Sequence, residues 1–127
     1  MIHRKLIEDV MNMLLEGNSE ELVKLKKQYK KAKLKEEVSK VGFYINFDIN
    51  DKTDNIDNKT FQIGDVYGTV NNQFASVGFV LFIKEGQILM LEGYTDGIIN
   101  EWPDDNKIKL TYSNGKKTRE NNRQEMR

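Results

Sequence analysis

Glu92 is the only acid in the run QILMLEGYT, residues 87–95. Strand alternation puts Ile88, Met90, Glu92 and Tyr94 on one face and Leu89, Leu91, Gly93 and Thr95 on the other. Glu92 therefore projects among apolar groups near one end of a strand. A carboxyl shielded in this way keeps its proton more readily and can act as a general acid. Asp65 and Asp96 are its expected partners, since two carboxyls are what glycoside hydrolysis uses. A chain of 127 residues, however, has little room for the groove such substrates fill. The competing role is structural: Glu92 accepts hydrogen bonds, with Tyr67 or Lys84 as the expected donors, and this role is favoured.

Other chemistries lack their parts. There is no cysteine, which removes disulfides, thiolate zinc sites and thiol catalysis. The single histidine, His3, would have to serve any serine triad, and no Gly-Xaa-Ser-Xaa-Gly elbow is present. His3 is expected to be a surface residue near a frayed terminus. One histidine and no cysteine leave zinc only carboxylates. The acidic stretch NDKTDNIDNK, residues 50–59, invites calcium, but an EF-hand frame from Asp48 meets Lys52, Thr53 and Lys59 where ligands and glycine belong. That stretch is expected to be a mobile loop. No phosphate loop or dinucleotide fingerprint occurs, so no metal or other cofactor is expected.

Binding is better supported than catalysis. Net charge is zero, yet residues 1–40 carry 10 Lys/Arg against 7 Asp/Glu, residues 41–105 carry 3 against 11, and residues 106–127 carry 7 against 2. An acidic middle between basic ends can steer a charged partner. In EWPDD, Pro103 holds Trp102 extended, where it either lids the core or anchors an interface. The expected binding set is Glu92, Tyr94, Asp96, Glu101, Trp102 and Asp104, and the expected partner is a basic protein, with a homodimer as the other possibility. Nucleic acid is disfavoured because the acids repel phosphate. Acids at Glu8 and Asp9 interrupt any leader-like apolar segment, and no apolar run approaches the roughly 20 residues that span a bilayer. A cytoplasmic protein without membrane contact is expected.

These residues must be positioned by a small α+β domain. Ile2, Leu6, Val10, Met13 and Leu14 follow helical spacing, Gly17 suits a helix end, and Asn18 can cap a second helix with Leu22, Leu25 and Tyr29 inside. Propensity would allow the second helix to continue to Ser39, but alternation from residue 32 favours a strand there. Phe43, Ile45, Phe47 and Ile49 line one side of the next. FQIGDVYGTV reads as a strand with a bulge at Gly64. GFVLFIK and QILMLEGYT flank the turn Glu85-Gly86, with the first run apolar on both faces and so expected to be covered on both. IKLTY closes the set. Two N-terminal helices packed on an antiparallel meander of five or six strands result, one domain over 1–112, with a basic tail over 113–127 expected to be disordered.

Over the stretch from about Leu14 to Tyr112, the motifs LLEGN, LKKQ, KVGFYINF, FQIGDVYG, GFVLFIKEGQILMLEGYT and EWPDD carry a resemblance. In them the chain resembles a family of small, uncharacterised bacterial proteins with a Gly-Phe-Xaa-Leu-Phe hairpin followed by Leu-Glu-Gly-aromatic-Thr and Trp-Pro. Lys40 stands where that pattern has a first glycine. The resemblance implies the same order of elements, a strand over 32–38 and a bacterial source. It assigns no activity and no catalytic residue.

Overall fold

The computed structural model describes residues 1–70, 74–113 and the backbone of 124–125. Helices α1 (Arg4–Leu14) and α2 (Glu20–Lys31) precede strands β1 (Lys33–Ser39), β2 (Gly42–Asp48), β3 (Phe61–Val70), β4 (Ser76–Lys84), β5 (Gln87–Thr95) and β6 (Ile108–Tyr112). The short strand β7 (Gln124–Glu125) pairs with β3. The fold is α+β, with every strand pair antiparallel. Strands lie in the order β1-β2-β5-β4-β3-β6. The rest of the expected disordered tail lies outside the described residues.

α1 buries Leu6, Ile7, Val10, Met11 and Leu14. Ile2, expected on that stripe, is instead exposed. The helices are joined through Gly17, whose φ of 140° is cheap only for glycine. Ser19, rather than Asn18, caps α2, its hydroxyl accepting from the Leu22 amide at 3.1 Å. Helix gives way to strand at Ala32, as the alternation requires.

One sheet face meets the helices through Phe43, Ile45, Phe61, Ile63, Val66, Phe79, Leu81 and Leu91. The other face is more open. Val80 and Phe82 of β4 are only half-buried among the described residues, so the expected cover on both sides is seen on one. The alternation expected for β5 also breaks. Phe82 pairs with Met90, but Ile83 pairs with Ile88, so Leu89 is an extra, exposed residue. This bulge turns Ile88 to the core together with Leu91, three positions on. Met90, Glu92 and Tyr94 keep the open face. The bulge expected at Gly64 is present, between Ile63 and Val66.

The 49–60 loop is stitched down rather than loose. Lys31 bridges Asp51 at 2.5 Å and Asp54 at 2.9 Å. Its hydrogen bonds to these two acids raise the Lys31 pKa, and the Lys31 bond lowers that of Asp51. The Ile56 amide donates to the Gly86 carbonyl, and the Gly86 amide to that of Lys59. The acids that suggested calcium are thus partly used to hold the end of α2.

Candidate functional site

The sheet end formed by the β1–β2 turn and the 96–107 segment carries a structured polar cluster. Asp96 starts it. Its carboxylate accepts from the Ser76 amide at 2.7 Å, the Ser76 hydroxyl at 3.1 Å and the Ile98 amide at 2.9 Å. The backbone bonds from Ile98 and Ser76 hold the Asp96 pKa below the ordinary carboxylate range. The Trp102 amide then donates to the Lys40 carbonyl at 2.7 Å, docking the segment on the β1–β2 turn. Asp104 caps a single 3₁₀ turn, Asp105–Lys107, by accepting from the Asn106 amide at 2.9 Å.

That cap aims Asp105 inward. One carboxylate oxygen of Asp105 accepts from the Trp102 indole N–H at 2.8 Å, and the other contacts His3 Nδ1 at 2.7 Å. His3 is 7 % exposed, so the surface position expected for it is wrong. Glu36 of β1 accounts for the difference. Its two oxygens accept from the amides of Ile2 and His3, at 2.9 and 3.3 Å, and pin the chain start to the sheet edge. The His3 ring stacks on Phe43 with centroids 4.9 Å apart, and Trp102 meets Phe43 edge-on at 5.2 Å. A carboxylate can only accept, so His3 Nδ1 carries the proton of their bond. In the neutral ring Nε2 is then an acceptor.

A cleft of about 920 Å³ opens here, lined by His3, Val38, Glu101, Trp102, Asp104 and Asp105 among others. Phe43 beneath it depends on a glycine. A Cβ on Gly93 would lie 2.6 Å from the Phe43 ring, which is buried and has nowhere to retreat. Gly93→Ala is therefore expected to cost about 1–3 kcal/mol by overpacking. Urea unfolding would measure the loss, and fluorescence of the single tryptophan would report displacement of its floor.

Glu92 lies elsewhere. It faces Tyr44 of β2 and Val80 of β4 across the open face. The Glu92 charge first, with partial desolvation and a hydrogen bond from the Tyr44 hydroxyl to Glu92, raises the Tyr44 pKa. The group that Glu92 faces across the strand pair is thus Tyr44, where Tyr67 or Lys84 was expected. Tyr94, on the same face, lays its ring over Gly78, where a Cβ would come within 2.4 Å of it. Asp65 is buried at the β3 bulge, with β4 between it and β5. None of Glu92, Asp65, Asp96 and Tyr94 lines the cleft.

The structure thus brings Glu101, Trp102 and Asp104 together, adds His3 and Asp105, and leaves Glu92 with Tyr94 on the open sheet face. Asp96 is engaged in holding its turn. The catalytic combination of Glu92 with Asp65 or Asp96 gains no support from this geometry. The cue in the sequence for the missing pair was a lone histidine and a second aspartate in EWPDD, but their contact joins residues 102 positions apart. Among the described residues no three His, Asp or Glu side chains gather to hold a metal ion, and no helix is long and apolar enough to cross a membrane. No protein-family model, curated protein or solved structure matches the chain.

Proposed function

We propose that the chain is a non-enzymatic binding module that holds a basic protein through the acidic segment between β5 and β6. The observation that carries this reading is Trp102. It is half-buried, held by its backbone amide and its indole N–H, and flanked by the exposed carboxylates of Glu101 and Asp104. A fixed aromatic beside exposed charge has the makeup of an interface anchor, because little entropy remains to be lost on binding. The 3-against-11 imbalance of residues 41–105 supplies long-range attraction for a basic surface. In its sharpest form this is an immunity-like protein of a bacterium, masking a basic toxin in the cytoplasm.

Glu101→Lys combined with Asp104→Asn tests the reading, since both side chains are exposed and asparagine keeps the oxygen that caps the 3₁₀ turn. The wild-type chain is expected to capture a basic partner from native lysate at low salt and to release it near 1 M salt, where the Debye length is about 3 Å. The double variant should lose the capture. Retention of the same partner by the variant would reject the reading.

A further inference from the structure

The cleft beside Trp102 has a second property besides its acidic rim. His3 is more than nine-tenths buried, yet only its Nδ1 has a partner, in Asp105. Nε2 makes no hydrogen bond within the described residues, and the ring forms part of the cleft wall. Stacking on Phe43, the contact with Asp105 and the edge of Trp102 hold the ring in one orientation. With the ring neutral and its proton on Nδ1, Nε2 is an acceptor in the cleft wall, and a ligand that brings a donor matches it.

The charge around it narrows the kind of donor. Lys5 and Asp9 both line the cleft, but they are paired with each other at 2.8 Å. What remains is Glu101, Asp104 and Asp105 against the ammonium of Lys40. Asp105 has spent both oxygens on Trp102 and His3, while Glu101 makes no hydrogen bond or ion pair within the described residues. Exposed Ile2 and Val38 supply apolar wall to the same cleft. An acceptor at depth, carboxylates at the rim, an indole and aliphatic walls together suit a cation with several donors on a flexible apolar stem. That is arginine, whose planar guanidinium offers five N–H donors and packs on aromatic rings; lysine presents a compact, strongly hydrated charge.

We propose that the cleft receives an arginine side chain of the basic partner, its guanidinium donating to His3 Nε2 and its charge balanced by Glu101 and Asp104. The inference rests on the binding-module reading and gives that surface its central anchor. At about 920 Å³ the cleft exceeds one side chain, so residues flanking the arginine would fill the remainder.

The test is a heteronuclear NMR titration of the full chain with Nα-acetyl-arginine amide. Its citrulline counterpart keeps the shape without the charge, and its lysine counterpart keeps the charge without the fork. The arginine probe is expected to shift the Trp102 indole and His3 imidazole signals saturably, with the two controls at least about tenfold weaker. His3→Phe keeps a ring to stack on Phe43 and is expected to weaken the arginine probe about tenfold, the worth of one hydrogen bond to a charged group. If that variant does not fold, the exposed pair Glu101→Gln and Asp104→Asn should give a loss of the same order. Absence of cleft shifts, equal binding of citrulline, or unchanged binding by a folded variant would overturn the inference. The two readings fail separately. Capture lost in the Glu101→Lys, Asp104→Asn variant, with no cleft response to arginine, sinks only the arginine site. Capture that survives in that variant sinks the binding-module reading whatever the titration shows.

Discussion

Gln28→Leu is expected to remove about 3–5 kcal/mol of folding stability, a large share of the total for a domain of this size. Gln28 is fully buried, and its side chain joins three elements. The amide donates to the carbonyls of Asp54 and Gly86 at 2.8 and 3.0 Å, and the side-chain oxygen accepts from the Ile88 amide at 2.8 Å. Leucine has similar volume, so no large cavity forms. The loss is polar: the Ile88 amide loses the side-chain acceptor that the β5 bulge leaves it, and the Asp54 carbonyl loses its donor. Each such orphan costs about 1–3 kcal/mol. The Gly86 carbonyl keeps the Ile56 amide and is spared. With an m-value of about 1–3 kcal/mol/M, the urea midpoint should fall by roughly 2 M. An unchanged midpoint would mean that water or a shifted backbone replaces the glutamine at little cost.

Asp105→Ala should cost about 2–4 kcal/mol and disable the cleft together. It strips partners from the Trp102 indole N–H and from His3 Nδ1 in a single change. The tryptophan emission should move to the red as the 101–106 segment loosens. Asp105→Asn separates the two roles. Its amide oxygen can serve only one of the two donors well, so about half the stability should return. If the amide nitrogen faces His3, the ring must accept at Nδ1 and present Nε2–H to the cleft, the reverse of the wild-type arrangement. Wild-type stability in Asp105→Ala, measured by urea unfolding, would show that the polar cluster holds neither the histidine nor the tryptophan.

The readable parts of the sequence were those where burial of one face imposes a period. Phe43, Ile45 and Phe47 alternate because β2 rests on the helices and presents Tyr44, Asn46 and Asp48 outward. The turn at Glu85-Gly86 was legible for a local reason: Gly86 takes its positive φ of 81° at little cost. Where a local rule is interrupted, the residue pattern no longer marks which face a side chain takes. A single extra residue, Leu89, reassigns Ile88 from the open face to the core, and no property of Leu89 announces it. Partners set by long-range pairing were likewise hidden. Tyr44 meets Glu92 only because β2 pairs with β5 and not with β3. Gln28 sits in a lysine-rich helix that otherwise looks solvated, and its importance depends on Gly86 and Ile88 some sixty residues away.

The same limit explains His3. Near a chain start, a histidine without cysteine or a second histidine nearby offers no pattern, and only Glu36, Phe43 and Asp105 together make it a buried, oriented group. With one histidine in the chain, a long-range proton–nitrogen spectrum of the imidazole contains a single ring to assign. Taken where that ring is neutral, it should show the proton fixed on Nδ1, an unprotonated Nε2, and ring protons shifted upfield by the face of Phe43. A proton on Nε2, or two tautomers in fast exchange at ordinary solvent-like shifts, would contradict the oriented acceptor on which the arginine site depends.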